Sequence, residues 1–432
     1  MHQIKPFTFL WVLISAMVLA PLASRADDPS NRLAELDAEA VKAYRAKDYA
    51  RFLALEKQSL ALAPSNARVL YNVACGEGLR GNAREAVRLL DQLLARKLDL
   101  GAETDEDFAS IRKSSEWTAF LSRLALLRKP IVHSEVAFRL ADPALVATGI
   151  AIDPRTGDTY IASVRQRKIV RRTKEGVVSE FVSTAQDGLM AVNSLDIDPA
   201  RRLLFASCGA APFMTGFTKE DSGRSGLFVF DLTTGKLVRK AMLPPDGKRH
   251  ILNALVLDRE GNAYVSDSGP SGVYRLDQGT DQLKVFIAQN VFRSTQGLAL
   301  SDDEKTLFVA DYSDGVWAVD MASKERRRLE EPANAWLAGL DGLTRVPGGF
   351  IAVQIGVRPQ RVLRLRLDKQ ARRITTVEIL EMNHPEYQGP IQGAVSDGAF
   401  FYVANSQLDL GDETGAFASE RARPTVVLRL SL

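Results

Sequence analysis

The sequence predicts a mainly β fold behind a helical N-terminal domain: a six-bladed β-propeller preceded by a short α-helical array. Three observations lead there. A hairpin pattern recurs six times between Thr148 and the C-terminus. The residues before it repeat with a 34-residue helical period. Between the two, at Pro130, hydrophobic periodicity changes from helical to alternating.

The clearest hairpin runs from His250 to Gly269. Asn253 to Leu257 is an apolar strand with one polar residue at its start. Asp258-Arg259-Glu260-Gly261-Asn262 is a tight turn in which Gly261 and Asn262 suit positive φ. Ala263 to Ser266 then returns antiparallel, bringing Ser266 and Asp267 back beside Asn253. Aligned on their turns, the six copies place Thr148, Asn193, Asn253, Gln296, Asp341 and Gln392 at one position. All are polar, and each precedes Gly, Ser or Ala. These six are expected to open the innermost strands and ring one mouth of a central channel. The strand count closes if Ser134 to Leu140, a spare strand before the first unit, completes the sixth sheet and removes the exposed edges.

The chain has 432 residues and a formal net charge of +3, a length that favours two domains. Lys5, an apolar run from Phe7 to Ala20 and Ser24-Arg25-Ala26 read as a signal peptide over residues 1–26, with an uncleaved anchor as the alternative. Cleavage would remove Lys5 and Arg25 and no acid, taking the charge from +3 to +1. That balance argues against a nucleic-acid partner, and no later stretch suits a membrane span. The expected location is secreted or periplasmic. Cys75 and Cys208 fall in different domains and read as buried hydrophobes, with a disulfide as the alternative.

Residues 27–129 are helical in pattern. Leu33–Asn66 and Ala67–Leu100 align in phase, with Asp48-Tyr49 matching Asn82-Ala83 and Ala40 matching Ala74. This resembles the tetratricopeptide repeat, although the early large aromatic is missing. A degenerate third copy from Gly101, carrying Trp117 and Phe120, is expected to cap the array. The array is either a groove for a protein partner or a spacer packed on the propeller. Residues 130–432 form the propeller.

Two loops on the face of the polar ring are long. Gly209 to Ser225 carries Phe213, Met214 and Phe217, and Ser406 to Pro424 carries several acids with Arg421 and Arg423. They flank the first unit and are placed to arch over one side of the mouth, where binding loops are usual. Disorder, or docking with the helices, is the alternative.

The units around Asn253, Gln296 and Asp341 resemble the senescence-marker-protein/gluconolactonase propellers. The segment Gly226 to Asp277 is also similar to the yellow/royal-jelly branch. The resemblance implies a divalent ion, usually calcium, held at the mouth by a glutamate, two asparagines and an aspartate. Asn253 and Asp341 match two of these ligands. Gln296 stands for the second asparagine, and Thr148 for the glutamate. The ring therefore offers one carboxylate, and weak calcium binding or none is expected. Asp267 and Asp311 either add charge or hydrogen-bond backbone between neighbouring blades. In the family a metal polarises a lactone or ester carbonyl and a side chain moves the proton. The candidates here are Asp341, His250 and His384, with solvated loop histidines as the alternative for the latter two. Two functions follow: a metal-assisted lactone or ester hydrolase, or a non-catalytic propeller that binds a small polar molecule or a partner.

Overall fold

A computed structural model describes residues 29–432. The signal-peptide segment lies outside them. Six four-stranded antiparallel sheets follow one another around a ring. Blades one to five each use four consecutive strands. The sixth combines Gly393–Ser396, Ala399–Val403 and Thr425–Ser431 with the early strand Glu135–Leu140. Glu135 pairs with Arg429 and Leu140 with Thr425, so the two ends of the domain close the ring.

That closure is fastened by a buried carboxylate. Glu381, on the outer strand of blade five (Ile374–Met382), accepts the backbone N–H groups of His133 and Ser134 and the Ser134 hydroxyl at 2.8 Å. The Tyr402 phenol of blade six donates to the same carboxylate at 3.0 Å. Four donors from the incoming chain and the next blade thus converge on one fully buried acid.

Strand ends are tied in a repeated way. In four blades the last residue of the second strand clasps the chain entering its own blade. Ser163 donates to Leu145 O, Asp267 accepts from Ile251 N at 3.0 Å, and Asp311 accepts from Arg293 N at 2.7 Å. Gln354 donates to Ala338 O at 2.6 Å. The bonds of Asp267 and Asp311 lie within a blade, not between blades as the sequence suggested. The Asp258 turn also differs in one detail. Gly261 has φ +87°, but Asn262 does not take positive φ. Asn262 instead donates from its side chain to Asp258 at 2.8 Å and accepts from Gln278 N at 2.9 Å, pinning the turn to the next strand.

The helical region comprises α1 (Pro29–Arg45), α2 (Tyr49–Leu62), α3 (Ala67–Leu79), α4 (Ala83–Ala95) and α5 (Ser115–Leu127). Asp48, Asn66, Asn82 and Ser114 cap the last four in turn by accepting backbone N–H groups. The first helix of the third copy is reduced to 3-10 turns, Ala102–Thr104 and Glu106–Ile111. Phe108 from those turns stacks on Trp117, which packs on Phe120, so the aromatics close the open end.

The array is docked on the propeller. Its apolar core takes in Val357 and Met382 of blade five, with Trp336 and Ile379 packed alongside. Arg361, buried on blade five, donates to the carbonyls of Arg96 and Lys97 just past α4 at 3.3 and 3.1 Å. A cation there meets the negative end of a helix. Burial lowers its guanidinium pKa to about 10. The array is thus packed against blade five. Both cysteines are free and buried. Among the described residues no helix is long and apolar enough to cross a membrane.

Candidate functional site

The polar ring is built by bulges. In five inner strands the ladder slips at the ring position: between Ala147 and Gly149, Val192 and Ser194, Leu252 and Leu255, Thr295 and Leu298, and Leu340 and Gly342. A bulge leaves a residue out of the ladder and re-aims its side chain. The bulged residues include Thr148, Asn193, Asn253, Gln296 and Asp341, and Gln392 sits just before the sixth inner strand. The small residue that follows has a steric reason. A Cβ on Gly149 would lie 2.9 Å from Ser194 Cα, one on Gly297 2.6 Å from Leu343 N, and one on Gly342 2.7 Å from Gln392 Cα. Neighbouring inner strands touch at these points, and only a missing side chain lets them converge.

Most ring side chains are already engaged, chiefly by the backbone or side chains of a neighbouring blade. Thr148 donates to Val192 O at 2.9 Å, and Asn193 donates to Leu252 O at 2.8 Å. Asn253 donates to the Gln296 side-chain oxygen, which also accepts from Ser268 at 3.3 Å. Gln392 donates to the Ser194 hydroxyl. Asn253 and Asp341 lie at the same end of the channel, because Gln296 bonds Asn253 while Gly297 abuts the Asp341 backbone.

Asp341 stands apart. Among the described residues its carboxylate has no hydrogen-bond partner, and burial alone raises its pKa to about 6. Its surface is nevertheless partly accessible, as suits a group bordering an axial channel with protein on every side. Tyr312, which follows the second strand of blade four, has its phenol raised to about 12 by burial and then by the Asp341 charge. A second channel acid, Asp196, lies three residues beyond Asn193 on the inner strand Ala191–Asp198. It accepts the N–H groups of Ile197 at 2.8 Å and Leu257 at 3.2 Å, and burial raises it to about 7. Both Tyr312 and Asp196 escaped the sequence reading. The signal for Asp196 was an acid between the apolar residues Leu195 and Ile197 of an inner strand.

Among the described residues neither candidate histidine hydrogen-bonds Asp341, although His250 lines the cavity at the mouth. His250 belongs to blade three and is buried between carboxylates, with Nδ1 on Asp267 and Nε2 on Asp246 at 2.9 Å. With both ring nitrogens occupied it positions the loop rather than offering a free proton acceptor. His384 follows the outer strand of blade five, whereas Asp341 opens the inner strand of that blade. Three strand spacings separate those positions, roughly 14 Å. Its Nδ1 accepts from Glu386 N at 3.1 Å, its ring packs on Tyr387, and burial lowers its pKa. It is a rim residue, because the long approach to Gln392 starts at the edge of the disc.

The two long loops meet over one side of the mouth, as their lengths suggested. Phe213 and Phe417 stack with centroids 6.5 Å apart, and the Arg165 guanidinium lies 4.4 Å from the Phe417 centroid. Gly411 is required beneath Phe213, since a Cβ there would come within 2.3 Å of the ring. Arg249 bonds Glu413 at 2.7 Å across the gap. Between the loops and the ring is a cavity of about 360 Å³ that reaches the ring at Asn193.

The donor set does not fit a tightly held calcium ion. Calcium affinity follows the number of charged oxygens, and the ring supplies only Asp341. The Thr148 hydroxyl and the Gln296 oxygen are already engaged. Among the described residues, one group of three potential metal ligands stands close together, Cys75, Asp105 and Asp107, in the helical region. Tyr44 and Tyr71 already donate to its carboxylates at 2.7 Å each.

No family model matches the chain, and no curated protein matches it. Solved structures do align. A luciferin-regenerating enzyme is 13% identical, covers 70% of this chain and 96% of its own, and gives a TM-score of 0.49. A gluconolactonase from Xanthomonas campestris is 17% identical, with 71% and 92% covered and a TM-score of 0.46. A virginiamycin B lyase from Staphylococcus aureus is 13% identical, with 61% and 80% covered and a TM-score of 0.42. Gluconolactonase-like propellers are thus among the folds this chain is similar to, and the chain is itself a six-bladed propeller behind a helical region.

Proposed function

We propose that the protein hydrolyses a lactone or ester of a small polar molecule at the channel mouth, with Asp341 as general base. The observation that carries this reading is the unpartnered Asp341 carboxylate, whose pKa of about 6 suits proton transfer near neutrality. Asp341 takes a proton from water as the oxygen attacks the carbonyl carbon. The acyl C–O bond then breaks, and the proton passes to the departing alkoxide, giving a hydroxy acid. Tyr312, protonated at neutral pH, is the candidate donor to the developing oxyanion.

The test is a screen of sugar lactones and simple lactones for acid release by the mature protein, comparing wild type with Asp341→Asn. A loss of about a hundredfold or more in kcat is expected, with wild-type activity falling below about pH 6. Equal turnover by the variant would remove Asp341 from the chemistry.

A second reading, a binding protein without turnover, is favoured by one observation: Thr148 is bonded to backbone where the resemblance expects a glutamate. Calorimetric binding of a lactone that is never hydrolysed would support it. Export to a periplasmic or extracellular space is proposed from the N-terminal residues. N-terminal sequencing of the secreted chain should begin at Asp27, and a start at Met1 would refute cleavage.

A further inference from the structure

We propose that the cavity under the paired loops is a specificity pocket for an apolar substituent, so that the preferred ligands are aryl- or alkyl-substituted lactones or esters rather than bare sugar lactones. This rests on the function proposed above and concerns the same mouth. Four observations point to it.

The cavity, about 360 Å³, lies within the size range of small-molecule sites. Its wall is largely apolar, built from Ala210, Pro212, Phe213, Ile251 and Leu408. A site made for a bare sugar would need convergent donors and acceptors, because each buried hydroxyl left unbonded is costly. The polar lining is sparse, and its one histidine, His250, has both ring nitrogens engaged by Asp267 and Asp246. Asn193 joins the cavity to the ring, and Arg249 with Asp412 and Glu413 forms an outer rim.

The wall is also constructed rather than incidental. Phe213 is held between Gly411, which has no room for a side chain, and Phe417, which stacks on it. Thr215 N donates to Arg165 O at 2.8 Å and Arg167 donates to Thr215 O at 3.1 Å, fixing the loop that presents Phe213. Leu408, by contrast, is 40% exposed, an apolar side chain facing solvent at the cavity edge. The Arg249–Glu413 pair is the rim contact joining the blade-six loop to the chain before blade three. A ligand would carry its polar head to the ring and its apolar group among Ala210, Pro212 and Ile251, at the edge of the Phe213 ring.

The experiment compares γ-butyrolactone, γ-propyl-butyrolactone and γ-phenyl-γ-butyrolactone on the full mature chain. Binding is read by calorimetry and turnover by acid release. Burying a phenyl group in an apolar pocket should tighten binding about tenfold or more over the parent lactone. Leu408→Asp, a change at an exposed position, and Phe213→Ala should each reduce that ratio severalfold. Equal binding of the three lactones by wild type, or no measurable binding of any, overturns the pocket. So does a preference unchanged by both variants. Substituent-dependent binding without hydrolysis would uphold the pocket while refuting the hydrolase reading. Hydrolysis without substituent preference would do the reverse.

Discussion

Replacing Asp341 by asparagine should make the protein more stable at neutral pH. The carboxyl has an ordinary value near 3.8 and is raised to about 6 by burial in the fold. Below about pH 4 the group is protonated in both folded and unfolded chains and contributes no difference. Between about 4 and 6 the unfolded chain has released its proton while the folded chain retains it, so stability falls as pH rises. Above 6 the penalty is complete and constant. Two pH units correspond to about 3 kcal/mol at most, and the partial access of Asp341 to the channel argues for a smaller value, about 1–2 kcal/mol. Asparagine keeps the shape and carries no charge, so it removes this cost. Urea midpoints for wild type and Asp341→Asn at pH 8 and pH 4 provide the assay, read at unchanged m-value. The variant should be more resistant at pH 8 and indistinguishable at pH 4. Equal midpoints at pH 8 would mean that the carboxylate is solvated after all, and its value as a tuned base would go with it. A gain in stability paired with loss of turnover is the trade-off expected where a fold tolerates an uncomfortable group for use.

Other outcomes follow from the closure and the ring. Glu381→Ala orphans donors from both the incoming chain and Tyr402 and should cost about 3 kcal/mol. A urea midpoint within experimental error of wild type would show that the ring closes without this acid. Calcium at millimolar concentration should leave the melting temperature within about 1 °C of the chelated protein, since one carboxylate gives little affinity. A larger shift that disappears in Asp341→Asn would place an ion at the mouth despite the engaged Thr148 and Gln296.

Much of the fold was legible because its repeat is local. Each hairpin carries its own turn, and each ring residue is marked by a polar side chain followed by a small one. The contacts of Gly149, Gly297 and Gly342 with neighbouring strands explain why that pair recurs. The closing strand was legible by counting. Side-chain roles were less so. His250 and His384 are both near the ring in sequence, yet one is enclosed by Asp246 and Asp267 and the other sits at the disc edge. Sequence distance to a ring residue says nothing about radius. Tyr312 and Asp196 were missed for a related reason. Each gains its character from burial, which depends on blades that a single hairpin does not contain. The third helical copy lost its first helix because Phe108 fills the space from a tighter turn, and no periodicity survives in six residues of 3-10 structure.

The pairing of Glu135 with Arg429 sets the order of assembly. These residues are 294 positions apart. At a synthesis rate of about 5–20 residues per second, the first strand waits roughly 15–60 s for its only partner. During that interval blades one to five are free to form hairpin by hairpin, but the disc stays an open arc with two unpaired edges. The final seven-residue strand, Thr425–Ser431, is therefore the latch. A chain stalled or clipped just short of it would carry nearly every sheet intact and still be the species most prone to join its neighbours edge to edge.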